Sequence, residues 1–426
     1  MIGVIADDIT GSNDIGIMFS KSGYVTDIYS YDETNSQHVP ENKPHVLIFD
    51  TESRLDNEKT AYQKVYQATQ DIKMVGARQF FNKTCSVFRG NIGAEFDAML
   101  DALEEEFAVV ILGFPANGRQ TIHSVHYVHG EKLEESQFKN DPVHPMRESN
   151  LVTILQSQTK RKVGAITQDI IKQGHQKIKE AIFQMKQEVH YLILDVSDQY
   201  DLHEIACAVE KEKILCGSAA LAEEIPKVRS KQVVNSSQLS LPKQEKEKGL
   251  FCVAGSLTPQ TYEQIDFMRK KGNQVIELDT LKFITSENQS NFMNDLTRQA
   301  IDFMNQGINV VVHTSNTTEK VEETKNEAVK RGLSNTEISR IISDTIAKIT
   351  YDVITETKQS RFVIAGGETS GAVCKAFQIK GMRVWEEIQT GLPSCVSYTT
   401  PPYLFVLKSG SFGTEDFIEI AFEHLK

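Results

Sequence analysis

A unit that recurs along the chain narrows the fold more than any other feature: a short apolar run, a polar loop, then apolar residues at helical spacing. Its first instance is Ile2-Gly-Val-Ile-Ala-Asp-Asp-Ile-Thr-Gly-Ser-Asn-Asp-Ile-Gly16. Ile2, Val4 and Ile5 are β-branched and suit a strand covered on both faces of a parallel sheet. Thr10, Gly11, Ser12 and Asn13 offer turn and N-cap chemistry, while Ile15, Met18 and Phe19 predict a helix that Gly23 ends. The same order returns at 46–49 with Asp50-Thr-Glu-Ser-Arg54, at Phe80-Phe81 with 82–93, and at 109–112 with 113–119. Such alternation predicts βαβ units and therefore an α/β fold with a parallel sheet. Ligands of these sheets collect beyond the carboxyl ends of the strands, where Asp7 and Asp8 stand. Either aspartate can cap the helix or serve a site; Asp8, deeper in the loop, is the one assigned to function.

The stretch 123–135 departs from the pattern and reads as a hairpin inserted at the sheet's edge. His123, His126 and His129 lie there, but strand side chains alternate, so His126 faces away from the other two and a metal site is not expected. A proline-stiffened loop at 140–147 and a buried strand at 191–196 follow. From 227 to 248 Lys, Gln, Ser and Glu displace the apolar residues and periodicity is lost. The domain boundary is placed here: residues 1–228 as one α/β domain, 229–248 as linker, and 249–426 as a second. The second half restarts at 250–254, continues through Val310-Val-Val312 as a central strand and a long amphipathic helix over 338–354, and closes with strands at 362–365 and 404–407.

With 46 Lys and Arg against 58 Asp and Glu the formal net charge is −12, which argues against nucleic acid or an anionic membrane as partner. The opening apolar run is broken at once by two aspartates and no apolar stretch could span a bilayer, so a cytoplasmic protein is expected. Six cysteines without C-x-x-C spacing fit reduced thiols, not zinc or disulfides.

Two kinds of loop carry chemistry. In the second half Gly255-Ser256, Gly366-Gly367 with Glu368, Thr369 and Ser370, and Gly410-Ser411 with Gly413 each join a strand to a helix. Glycine admits a ligand close to the backbone, and free N–H groups at a helix start attract phosphate oxygens. No lysine follows these glycines as in a Walker A loop, and no kinase catalytic-loop signature is present. The first half instead offers Asp7, Asp8, Arg54, Lys83, Arg89 and Arg119 on loops at strand ends. Arginine forks match carboxylates and an aspartate accepts a hydroxyl proton, a set suited to a small polyhydroxy acid. Arg119 reads equally well as a surface or locally paired cation. A half shaped for a small anion and a half shaped for phosphates together suggest phosphoryl transfer across a cleft.

These motifs resemble the four-carbon acid sugar kinases, a family that includes D-threonate, D-erythronate and 3-oxo-tetronate kinases. Ala6-Asp-Asp-Ile-Thr-Gly-Ser-Asn-Asp14 resembles its opening signature, Ser53-Arg54 its arginine after the third strand, and residues 83–91 its K-x-D-S-x-x-R-G-N loop. Ala254-Gly-Ser256, Gly366-Gly-Glu-Thr369 and Lys408-Ser-Gly-Ser-Phe-Gly413 resemble its three ATP-binding segments. The resemblance implies an N-terminal domain binding the acid, a C-terminal domain binding ATP with Mg²⁺, and phosphorylation of the terminal hydroxyl. By position Asp8, Arg54, Lys83, Thr84, Cys85, Ser86 and Arg89 match substrate-binding places, and Ser256, Gly366, Gly367, Glu368, Thr369 and Gly410 match ATP-binding ones. Cys85 stands where the family often has an aspartate, which leaves Asp8 as the expected general base. The pair Asn13-Asp14 resembles the D-threonate and D-erythronate branch more than the 3-oxo-tetronate one. The implied partners are the acid and ATP, with a homo-oligomer left open. A non-catalytic sensor of both ligands is the competing class; an NAD oxidoreductase is disfavoured because no G-x-G-x-x-G follows the first strand.

Overall fold

A computed structural model describes residues 1–32, 44–141, 143–229, 241–243 and 247–426. Most of the expected linker, and Pro142 of the proline-stiffened loop, lie outside the described residues. The chain divides into two compact units, residues 1–236 and 237–426.

Among the described residues the first unit contains β1 Ile2–Ala6, β2 Thr26–Ser30, β3 Val46–Asp50, β4 Gln79–Lys83, β5 Ala108–Ile111, β6 Arg119–Ile122, β7 Val125–Val128, β8 Glu131–Lys132, β9 Val163–Ile166, β10 Tyr191–Leu194 and β11 Ile214–Gly217. Eight of these pair in parallel in the order β2-β3-β1-β4-β11-β5-β10-β9. Every residue of β1, β3 and β4 is buried, the pattern of strands with helices on both faces. Three helices bear on the site: α1 Ile9–Lys21, α2 Glu58–Val75 and α3 Ile92–Leu103. α1 begins directly after Asp8, which is its N-cap, so Thr10 to Asn13 lie inside the helix and not in a loop before it.

The stretch 119–132 is not a hairpin on the main sheet's edge but a separate antiparallel sheet, β6-β7-β8. Arg119 opens its first strand instead of standing in a loop, and its side chain is fully buried. β9 and β11 went unread in the sequence because four residues with small or mixed side chains, such as Val163-Gly-Ala-Ile166, show no usable period.

The second unit contains β12 Phe251–Ala254, β13 Gln274–Leu278, β14 Val310–Thr314, β15 Arg361–Ala365, β16 Gly381–Gln389, β17 Leu392–Ser397 and β18 Leu404–Lys408. β13-β14-β12-β15-β18 pair in parallel, and β17 and β16 continue the sheet antiparallel. The strand at Val310 is therefore next to the edge, not central, because the half-exposed β13 covers its outer side. The long helix is Asn335–Thr357, opened by a Ser334/Glu337 capping box.

Each sheet changes winding direction beside its first strand. From β1 the chain crosses to β2, comes back through β3 and continues to β4 on the other side; from β12 it crosses to β13, comes back through β14 and continues to β15. Crevices open beyond the strand ends at such reversals, at β1/β4 in the first unit and β12/β15 in the second.

Candidate functional site

At the first reversal, parallel register sets Ala6 beside both Asp50 and Lys83, so the residues following β1 are brought against the ends of β3 and β4. Arg54 reaches back over the end of β1. Its Nε and Nη2 donate to the two oxygens of Asp7 at 2.7 and 2.8 Å, and its Nη1 donates to Asp8 Oδ2 at 2.5 Å. Asp8 also accepts from the Thr10 hydroxyl at 2.9 Å, while its Oδ1 accepts the Gly11 N–H at 2.7 Å. Burial alone would raise Asp8; Arg54 and Lys83, aided by those hydrogen bonds, hold it below the usual carboxylate range. The loop carrying Arg54 is pinned by Asn91, which donates to the carbonyls of Ser53 and Asp56. Gly90, at φ +108°, lets the arginine stem pass, since a Cβ there would sit 3.2 Å from Arg54 Cγ.

Lys83 is buried, donates to the Thr84 carbonyl at 3.0 Å, and stands 3.6 Å from Asp14 Oδ2. Asp14 is equally buried, and its Oδ1 has no hydrogen-bond partner. Burial pushes its carboxyl up to about 6 against the pull of Lys83. Beneath Arg54, Glu95 accepts from the Ser53 hydroxyl at 2.7 Å, and burial together with the charge of Asp7 pushes it up to about 8. Of the carboxylates gathered here Asp8 is held ionised, Asp14 is poised near neutrality, and burial pushes both Glu95 and, at the end of β3, Asp50 well up.

Arg89 and Cys85 form the next layer. Arg89 donates from Nη1 to Asp141 at 2.5 Å and from Nε to Cys85 Sγ at 3.4 Å, and its guanidinium lies 5.1 Å from the centre of the Phe138 ring. Burial would raise the Cys85 thiol, yet Arg89 and Arg54 draw it below its ordinary value, leaving an anion-prone sulfur where the family resemblance places a carboxylate. Thr84 is fully buried with its hydroxyl unpartnered, and Ser86 lies at the rim of buried residues. Arg119 joins from β6; burial pulls it down to about 10, and it contacts His129 at 3.0 Å. His126 bonds to the Thr121 hydroxyl, and burial with the nearby Arg119 pushes it down to about 3, so it acts as a neutral core residue. Asp8, Arg54, Lys83, Thr84, Cys85, Ser86 and Arg89 therefore gather at one end of one sheet. Asp14, Glu95 and Arg119 complete the cluster. Arg119 and Asp14 stood among the residues the sequence singled out; Glu95 did not, its one signal being a carboxylate on the otherwise apolar first turn of α3.

At the second reversal three glycine loops interlock. A Cβ on Gly255 would meet Thr369 Oγ1 at 2.1 Å, one on Gly410 would meet Ser256 Oγ at 2.2 Å, and Gly366, at φ +123°, faces the Ser256 N–H. Gly366 is the N-cap of the helix Gly367–Ala376, so its first amides face the same spot. Ser256, Gly366, Gly367, Thr369 and Gly410 are brought together; Glu368, in the first turn of that helix, has an exposed side chain. A cradle where side chains are sterically barred and helix amides converge fits a polyphosphate. Among the described residues no group of three or more His, Cys, Asp and Glu side chains is placed to hold a metal ion, and no helix is long and apolar enough to cross a membrane.

Two family models match the chain one after the other. A family model described as a sugar-binding N-terminal domain matches residues 2–225, and one described as a nucleotide-binding C-terminal domain matches residues 251–418. A 3-oxo-tetronate kinase of Pseudomonas fluorescens is 30% identical over 433 residues, spanning 100% of this chain and 97% of the relative. A D-threonate kinase of Salmonella typhimurium is 26% identical over 420 residues, spanning 97% and 95%. Among crystal structures, a Salmonella typhimurium protein is similar with a TM-score of 0.81 at 25% identity, over 100% of this chain and 99% of that one. A Haemophilus influenzae protein is similar with a TM-score of 0.71 at 27% identity, over 100% of both. With both domain models matching in order and relatives aligned along nearly its full length, the chain belongs to the four-carbon acid sugar kinase family.

Proposed function

We propose that the protein transfers the γ-phosphoryl group of ATP to the terminal (4-) hydroxyl of a four-carbon sugar acid, with D-threonate or D-erythronate as substrate and 3-oxo-tetronate as the alternative. In this reading residues 1–228 bind the acid, 229–248 link, and 249–426 bind ATP. The observation that carries it is the chemical contrast between the two reversal points: arginines, a lysine and buried carboxylates in one unit, a cradle of glycines and hydroxyls in the other. Lys83, Arg89 and the remaining N–H groups of Arg54 hold the acid's carboxylate, with Thr84, Cys85 and Ser86 lining its carbon chain. Ser256, Gly366, Gly367, Glu368, Thr369 and Gly410 hold the nucleotide. The substrate hydroxyl oxygen bonds to the γ-phosphorus as the bond to the β–γ bridging oxygen breaks, ADP leaves, and Asp8 accepts the hydroxyl proton. Mg²⁺ bound with ATP would neutralise charge on the phosphates during transfer. Asp14 is a second acceptor, favoured by its unpartnered oxygen. Six free cysteines support a cytoplasmic setting.

Incubation with ATP, Mg²⁺ and each of the three acids, with ADP release and product mass as readouts, tests this. Acid-dependent ADP with a product heavier by one phosphoryl group is expected. Absence of acid-dependent ADP from every acid would overturn the kinase reading and leave a sensor.

A further inference from the structure

Lys408, the last residue of β18, is fully buried, and among the described residues no carboxylate acts on it. Its ammonium donates to the Thr261 hydroxyl at 2.8 Å, the Ser409 carbonyl at 3.1 Å and the Gly410 carbonyl at 2.9 Å. A buried ammonium with only neutral partners is costly, and such groups persist where they do something besides packing. The Gly410 carbonyl is held still further: the hydroxyls of Thr258 and Thr261 donate to it at 2.6 and 2.9 Å. In a trans peptide the C=O of one residue and the N–H of the next point in opposite directions. Drawing the carbonyls of Ser409 and Gly410 inward therefore turns the amides of Gly410 and Ser411 away from the ammonium. Two successive amides turned to one side form an anion-binding concavity, here beside the loops of Gly255 and Gly366.

We propose that Lys408 is a positioning residue for the nucleotide: it shapes the loop 409–411 so that backbone amides face the phosphates, and it places a positive charge beneath them. This role rests on the nucleotide-site reading above and adds to it a lysine that reaches the phosphates through the backbone, not directly as in a Walker A loop. The titratable group facing it from β12 is Cys252, whose thiol burial pushes up to about 12; the helix Pro259–Lys270 presents the uncharged Thr261. Burial pushes Lys408 down to about 7, so its charge fades as pH rises through that value and nucleotide binding should weaken with it.

The test uses the full chain, with MgADP affinity by calorimetry and separate KM values for ATP and the acid. Lys408→Met should weaken MgADP and raise KM for ATP by about ten-fold or more, the scale of a charge-assisted hydrogen bond. KM for the acid should stay within about two-fold, the thermal midpoint should hold or rise, and the weakening of wild-type MgADP binding above pH 7 should vanish. A lysine with only a structural role would lower the midpoint and move both KM values together, which would overturn the proposal. Should Lys408→Met fail to fold, Thr261→Val should raise KM for ATP selectively and Thr261→Ser restore it; equal nucleotide affinity in those two variants also overturns it. Because MgADP binding needs no acid, a negative acid panel with intact, Lys408-dependent MgADP binding would sink the kinase reading alone.

Discussion

At the scale of single residues, three carboxylates within one cluster differ because their neighbours differ. Asp8 faces Arg54, a helix N-terminus and a hydroxyl and stays ionised; Asp14 faces one lysine through a buried gap and sits near neutrality. A general base must be ionised to accept a proton, so activity falls as pH drops through its pKa. If Asp8 is the acceptor, the acid limb of kcat/KM lies below the ordinary carboxylate range; if Asp14 is, the limb has its midpoint at about 6. Replacing the true acceptor, by Asp8→Asn or Asp14→Asn, should cost about 10²–10⁴ in kcat. A pH–rate profile with both variants reads the outcome. Asp8 also caps α1, one of the two readings the sequence left open for it, and that role stands whichever residue proves to be the acceptor.

At the scale of elements, the cradle proposed for the nucleotide depends on loops that deny each other room for a side chain. Gly255 and Gly410 each point their missing Cβ at a hydroxyl belonging to a different strand's loop. Gly255→Ala and Gly410→Ala should each push those loops apart, weakening MgADP by about ten-fold while leaving the acid's KM unchanged. Calorimetry on both variants checks it, and unchanged MgADP affinity would show that the interlock does not shape the cradle. The strand-loop-helix periodicity made β1, β3, β4, β5, β12, β15 and β18 legible. Short edge strands such as β9 and β13 were not, because four or five half-exposed residues show no period that sets them apart from a loop.

At the scale of the whole molecule, each unit places its loops at the point where its sheet changes winding direction, β1/β4 in one and β12/β15 in the other. Ligand-induced protection should therefore segregate. In amide hydrogen exchange, the acid should slow exchange around 52–56 and 83–91, and MgADP around 255–258, 366–370 and 409–413. Protection crossing over, with the acid acting on the second set, would reverse the assignment of ligands to units.

The chain's local chemistry by itself determined the α/β class, the loops that could carry function and the residue types they offer, because strands, helix starts and glycine turns are written in spacings of a few residues. Tertiary structure alone decided which of those loops meet and what charge their groups hold. Arg54 binds Asp7 across 47 positions, and Lys408 finds Thr261 across 147. No local pattern encodes such pairings. They follow from the order of strands in each sheet, and burial then sets the charge of each group they bring together.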